Sequence, residues 1–222
     1  MPTGNITAIA AQAQSSQRVN IFVDGEFALG ISLSTLAAEG LFVGQALDEA
    51  GWARLEVAAQ AEQAMRAAMR LIDARPRSAA ELRQRLRRKE FPPEVAEQAV
   101  ARLSELGLVD DAAFSRMLIE SRQSFRLRGQ IAIRDELRRK GVSRDVVDSA
   151  LAEADDPEAE QERAMAVARN ALRRYADAPD RLSFQRRLGG LLQRRGFSLN
   201  LIRPILGTLW EELRAQRSED AE

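Results

Sequence analysis

A chain of 222 residues is long enough for one large domain or for two or three small modules, each with a modest core. Hydrophobic residues make up 45% and charged residues 30%, an ordinary balance for a soluble, highly charged protein. Cysteine and histidine are both absent, which excludes a disulfide framework, a thiolate nucleophile, a zinc knuckle, a Ser-His-Asp triad and an H-E-x-x-H metal site.

No apolar run approaches the ~18 residues of a membrane span, and residues 1–20 lack the basic start and apolar core of a signal peptide, so the expected address is the cytoplasm, with no membrane contact. Neither the G-x-x-x-x-G-K-[ST] phosphate cradle nor the G-x-G-x-x-G turn occurs. We therefore expect no enzymatic activity, no cofactor and no bound metal. The formal charge of zero conceals a segregated distribution. Residues 1–63 hold two basic and seven acidic side chains, whereas residues 64–106 hold ten basic and six acidic. The only lysines are Lys89 and Lys140, so almost every cation is an arginine, the side chain suited to bidentate contact with carboxylate or phosphate.

In chain order, residues 6–31 read as a three-stranded antiparallel meander, with Ser15, Ser16 and Gln17 at the first turn and Asp24-Gly25 at the second. Asp-Gly between β-rich runs marks a type I′ hairpin, which needs positive φ at both central residues. Ser32 or Ser34 caps a short helix ending near Gly40. Leu41, Phe42 and Val43 are read as a brief strand or an apolar tuck. Asp48 caps a long helix over residues 49–75, stopped by Pro76, on which the small head is expected to dock.

Beyond that helix the chain repeats itself. Leu86, Leu137 and Leu192 align, as do the basic triplet Arg87-Arg88-Lys89 with Arg138-Arg139-Lys140, and Phe91 with Val142 and Phe197. Each copy is an amphipathic helix with a basic end, a short break holding one apolar plug, and a second helix. The starts of those second helices are Pro92-Pro93-Glu94, Ser143 and Ser198. Ahead of each pair lies a further helix with an apolar stripe: Met65, Ala68, Met69 and Ile72, then Phe114, Met117 and Leu118, then Met165, Ala168 and Leu172. Asp110 or Asp111 caps the second of these helices, and Asp155 or Asp156 the third. The fold class is thus mainly α: three tandem three-helix, helix-turn-helix-like repeats in an elongated array behind a small antiparallel β meander. We delimit a strand-rich head at 1–48, the long helix with repeat one at 49–106, repeat two at 107–154, repeat three at 155–215 and a disordered tail at 216–222.

The stretch from Arg122 to Val142 and the junction Leu106-Gly107-Leu108-Val109-Asp110-Asp111-Ala112-Ala113-Phe114 resemble the RecX family of recombination regulators. The resemblance runs over residues 64–213 and is weakest in copy three, and copy one has Glu90 where the pattern usually has Gly. It implies a non-enzymatic modulator of the RecA recombinase, built of three three-helix repeats and lying in the groove of the RecA–single-stranded DNA filament. There it would inhibit ATP turnover and strand exchange and limit filament growth. The implied partner is the RecA filament, with weak electrostatic binding to single- or double-stranded DNA, and the chain is expected to be a monomer.

The candidate partner-binding residues are Arg83, Arg87, Arg88, Lys89, Arg122, Arg126, Arg128, Arg138, Arg139, Lys140, Arg194 and Arg195. Three readings of these cations stay open: compensation of the helix dipole, contact with an acidic protein surface, and contact with phosphate. Tyr175 is the only tyrosine and most Phe fall at core positions, which disfavours base stacking on this chain. The alternative function is a direct DNA-binding helix-turn-helix protein. Against it, the would-be recognition helices carry Glu94, Glu97 and Glu105, or Asp145, Asp148 and Glu153, which repel a phosphate backbone.

Overall fold

The computed structural model describes residues 4–13 and 15–219. They form two compact units, one up to Val109 and one from Asp110. The first opens with strands β1 (Gly4–Gln12), β2 (Ser15–Val23) and β3 (Glu26–Ser32) and helix α1 (Leu33–Ala38). Alternation along β2 puts Val19, Ile21 and Val23 on one buried face. Asp24 and Gly25 take φ of 48° and 86°, which turns the chain from β2 into β3 as the Asp-Gly pair predicts. Ser32 is the cap of α1, its side chain accepting from the Thr35 amide at 3.0 Å.

The sheet has four strands rather than the three expected, in the order β3-β2-β1-β4, all antiparallel. The addition is β4 (Ala46–Leu47), whose ladder joins Gly4 to Leu47 and Asn5 to Ala46. The apolar triplet before it forms no strand: Phe42 and Val43 are exposed, and the backbone reaches β1 just after them, where the Gly44 amide donates to the Ile6 carbonyl at 2.8 Å and the Ile6 amide donates to the Gln45 carbonyl at 2.9 Å. A two-residue ladder has no alternation to read, which is why it escapes sequence inspection.

Helix α2 (Glu49–Ala74) begins at Asp48, which accepts from the Gly51 amide at 2.7 Å. Its first half buries Trp52, Leu55 and Ala59 against Ile6, Val19, Ile21, Ile31 and Leu47 of the head. The second half buries Ala64, Ala67 and Ala68 against α3 (Ala79–Arg87) and α4 (Pro93–Glu105), in a core with Leu82, Leu86, Val100 and Leu103. One helix therefore serves two cores. Between them lies Glu62, whose carboxylate accepts from the Ser32 amide, the hydroxyls of Ser32 and Thr35, and the guanidinium groups of Arg18 at 2.9 Å and Arg66 at 3.3 Å. Burial by itself raises the Glu62 pKa, but the hydrogen bonds from Ser32, Thr35 and Arg18 outweigh it and hold the carboxyl below its ordinary range.

The second unit holds two further three-helix modules. Helices α5 (Asp111–Ser124), α6 (Gln130–Arg139) and α7 (Arg144–Glu153) enclose Phe114, Leu118, Ile119, Ile133, Leu137, Val147 and Leu151. Helices α8 (Pro157–Leu172), α9 (Arg181–Arg194) and α10 (Leu199–Glu219) enclose Phe184, Leu188, Leu192, Phe197, Ile202 and Leu209. Asp110 and Asp156 are the caps of α5 and α8, each accepting backbone amides of the first turn. Helix α10 continues to Glu219, into the stretch expected as a tail; residues 220–222 lie outside those described. The Met stripes are not wholly core, since Met69 and Met117 are each about two-fifths exposed.

The repeated break between second and third helices has one geometry in all three modules. Glu90, Gly141 and Gly196 take φ of 66°, 77° and 88°, and the amides of the plugs Phe91, Val142 and Phe197 return to the carbonyls of Leu86, Leu137 and Leu192 at 3.2–3.3 Å. That is a Schellman ending, in which a left-handed residue stops the helix and an apolar side chain folds back onto the core. The sequence alignment of the three copies is therefore an alignment of one backbone device.

Candidate functional site

Each Schellman ending exposes the basic residues that precede it. Arg87, Arg88 and Lys89 are exposed at the end of α3, Arg138 and Arg139 at the end of α6, and Arg194 and Arg195 at the end of α9. Among the described residues none of these seven cations has a carboxylate within 4 Å. Lys140 differs from its triplet: it is half-buried, with its ammonium 5.8 Å from the centre of the Phe114 ring.

Other expected cations are engaged inside their own modules. Arg83 donates through Nε and Nη2 to both Glu97 oxygens at 2.6 and 2.8 Å, tying α3 to α4. The hydrogen bond from Arg83 holds the Glu97 carboxyl below its ordinary range. Arg122 makes the same fork with Glu136 at 2.9 and 2.6 Å, clamping α5 to α6, with both side chains about 15% exposed. Arg128 adds a longer contact to Glu136 at 3.5 Å. The Arg122 hydrogen bond is the main reason the Glu136 carboxyl lies below its ordinary range, and the same bond raises the guanidinium. Arg83 and Arg122 thus have internal work that sequence spacing alone does not reveal, because their partners lie 14 residues away on the next helix.

Three expected residues from two modules come together. Arg126, Arg128 and Arg195 line one cleft of about 600 Å³ with Phe125, Leu127 and residues of α8 and α9. Arg174, not among the expected residues, supplies a fourth guanidinium. Its signal was present, for Val167, Asn170, Ala171 and Arg174 follow the i, i+3, i+4, i+7 spacing of one helical stripe. Most Phe are buried or half-buried as expected, but Phe125 is 86% exposed and Phe27 and Phe42 are about 60% exposed, which leaves three rings open to stacking. Phe125 continues the spacing of Phe114 and Leu118, but α5 ends at Ser124 and the ring leaves the core.

Members of both acidic pairs are engaged locally. Asp110 and Asp156 cap helices, Asp155 accepts from Gln130 Nε2 at 2.6 Å, and no group of three acidic side chains able to hold a metal occurs among the described residues. Of the carboxylates expected to disfavour a recognition helix, four are paired locally: Glu97 with Arg83, Glu105 with Arg102, Asp148 with Arg134 and Arg144, and Glu153 with Arg116.

Family models match four consecutive stretches of the chain. They are the regulatory protein RecX N-terminal domain over residues 4–48 and the first, second and third RecX three-helix domains over residues 64–103, 110–151 and 158–206. The chain belongs to the RecX family. A regulatory protein RecX from Mycobacterium avium is 41% identical over 140 residues, which cover 63% of this chain and 80% of the relative. RecX from Bacillus pumilus is 26% identical over 216 residues, 97% of this chain and 81% of the relative. A crystal structure of a regulatory protein RecX matches with a TM-score of 0.77 at 28% identity, covering 90% of this chain and 98% of the other. RecX from Lactobacillus salivarius, at 21% identity and a TM-score of 0.60, shares the fold. The RecX models bound the three modules at the helices described above, and the RecX relatives are named as regulatory proteins. Among the described residues, no helix is long and apolar enough to cross a membrane.

Proposed function

We propose that this chain is a non-enzymatic regulator of RecA that acts in the cytoplasm as a monomer, seated in the groove of the RecA–single-stranded DNA filament. There it inhibits ATP turnover and strand exchange and limits filament growth. The observation that carries this reading is the recurrence, at one backbone device in three modules, of exposed cations without carboxylate partners among the described residues. Arg87, Arg88 and Lys89, Arg138 and Arg139, and Arg194 and Arg195 each offer a cationic cluster to an acidic partner. A single globular ligand needs one such cluster. A filament meets several.

The decisive measurement is RecA ATP hydrolysis on single-stranded DNA, titrated with this protein, beside its binding to the same DNA without RecA. We expect inhibition well below the concentrations that bind bare DNA. Binding to bare DNA with no effect on RecA would overturn the reading in favour of a direct DNA-binding helix-turn-helix protein. For the surface itself, Arg138→Glu with Arg139→Glu is the cleaner reversal, because Lys140 packs on Phe114 and its loss disturbs the module. This variant should lose at least tenfold in inhibitory potency with an unchanged melting temperature. Full potency would remove the α6 cluster from the working surface.

A further inference from the structure

The cleft bordered by Phe125, Arg126, Arg128, Arg174 and Arg195 brings four guanidinium groups together with no carboxylate in its lining. Of the four, only Arg128 has an acidic side chain within 4 Å among the described residues, and that is Glu136 outside the cleft. Four like charges facing one space repel one another unless an anion is shared between them. The guanidinium fork matches phosphate oxygens two at a time, where an ammonium offers a point charge.

The loop that borders the cleft is tied down by hydrogen bonds. Leu127 takes φ of 44°, and the Arg128 amide donates to the Arg122 carbonyl at 3.0 Å, which folds residues 125–128 tightly over the end of α5. The Gly129 amide donates to the Arg195 carbonyl at 3.0 Å, and Arg195 Nη1 donates back to the Arg126 carbonyl at 3.0 Å. Arg195 is thereby oriented by the loop that carries Arg126. A guanidinium oriented before a ligand arrives, as Arg195 is here, loses less on binding it.

Charge alone does not account for Phe125. Its ring lines the cleft and is 86% exposed, while the interior beside it is lined by Leu127, Val167, Ala171 and Leu191. An exposed aromatic face beside a pocket of arginines is the pairing that single-stranded nucleic acid meets, the ring stacking a base while cations hold its phosphate. Asn170 adds an amide able to donate and accept at a base edge. A volume of about 600 Å³ suits one nucleotide.

The first module supplies an internal comparison. Gln63, Arg66, Ala67 and Arg70 follow the same i, i+3, i+4, i+7 stripe on α2, and Lys89, at the repeat position of Arg195, closes a smaller cleft of about 340 Å³ with Phe91. There Arg66 is bound to Glu62 and Phe91 is half-buried. The shared framework holds cations in both clefts, but of the two only the cleft between the second and third modules couples unpaired guanidinium groups to an uncovered ring.

We propose that the cleft between the second and third modules binds a nucleotide unit, with its phosphate on Arg126, Arg174 and Arg195 and its base against Phe125. The proposal deepens the reading of the cationic surface, yet it needs no RecA, so the two fail separately. The unit belongs either to a strand or to a free nucleotide, and one experiment separates these sources.

Binding of a labelled twelve-residue oligothymidylate to the full-length chain is measured by fluorescence anisotropy at several salt concentrations, without RecA. Thymidine monophosphate, inorganic phosphate and an oligoglutamate peptide serve as competitors. Arg174→Ala should weaken binding about fivefold or more and make the salt dependence shallower by about one phosphate contact. Phe125→Ala should weaken it by a similar factor, about five- to tenfold, with the salt dependence unchanged. That split distinguishes a stacked base from a diffuse basic patch. Both side chains are exposed, and circular dichroism checks that the variants fold. Competition by thymidine monophosphate well beyond that of inorganic phosphate marks a free-nucleotide site, and competition by the strand alone marks a strand site. Equal affinity of both variants and the parent would overturn the proposal. So would oligoglutamate competing as strongly as nucleic acid, which assigns the cleft to an acidic protein segment.

Discussion

Glu90 stands in a left-handed conformation where the equivalent positions of the other two modules carry Gly141 and Gly196. A side chain with a Cβ pays for that conformation while glycine does not, and only part of the difference is offset by glycine's greater freedom in the unfolded chain. Glu90→Gly should therefore stabilise the first module by about 0.5–1 kcal/mol, read as a higher urea midpoint at unchanged slope. A lower midpoint would mean that the Glu90 side chain makes a contact worth more than the strain. The sequence alignment exposed this position as a departure from pattern, and the backbone gives the reason. Arg83 and Arg122 show the opposite case: they read as free cations in a list of charges, but each forks onto a glutamate of the neighbouring helix. Charge is legible residue by residue; pairing across helices depends on how those helices meet, which no local pattern records.

Among the elements, the helices were largely legible because their caps and stops are chemical. Asp48, Ser32, Ser143 and Asp156 cap as expected, and Pro92-Pro93-Glu94 begins α4. The reciprocal box between Ser78 and Glu81 was not singled out, although both residues are plain in the sequence. Strand β4 and the seam between the second and third modules were not legible, since each depends on backbone groups rather than side-chain pattern. At the seam, Gly129 and Gly196 approach so closely that a Cβ on Gly129 would lie 2.3 Å from the Gly196 carbonyl oxygen, and one on Gly196 would lie 2.3 Å from the Ala132 Cβ. Gly129→Ala must push the two backbones apart and disturb the Gly129 to Arg195 and Ile131 to Gly196 hydrogen bonds. We expect a loss of about 2–4 kcal/mol in thermal or urea unfolding of the second unit, with helical content near that of the parent at low temperature. A change below about 0.5 kcal/mol would show that the seam yields freely.

At the scale of the molecule, several of the head's acidic side chains are engaged within the first unit. The head's Glu39 lies 4.0 Å from Arg54 and Asp48 caps α2, while Glu62 binds Arg18 and Arg66. Glu62 in the first unit and Glu136 in the second both have folded pKa values below their ordinary range. For a depressed carboxyl, the added stability is complete above the unfolded value of about 4.3 and is lost as pH falls through the lower folded value. Both units should therefore weaken as pH falls from about 5 toward 3. Replacing Glu62 and Glu136 by Gln should cost about 1–3 kcal/mol together at pH 7 and flatten that acid limb, as followed by urea midpoints across pH. An acid limb as steep as the parent's would place the responsible carboxylates elsewhere. The fold class and the repeat were readable because three copies restate one device; the cleft was not, because Phe125 and Arg174 become neighbours only after two modules meet.

The seam also makes the molecule report on itself. The amides of Gly129 and Ile131 are bonded to carbonyls of the next module, not to the helix in which they begin. Their exchange with solvent deuterium tracks the parting of two modules, independently of the fraying of either. These two protons form a gauge: a partner that seats on both modules slows them together, and one that pries the pair open releases them before any helix melts.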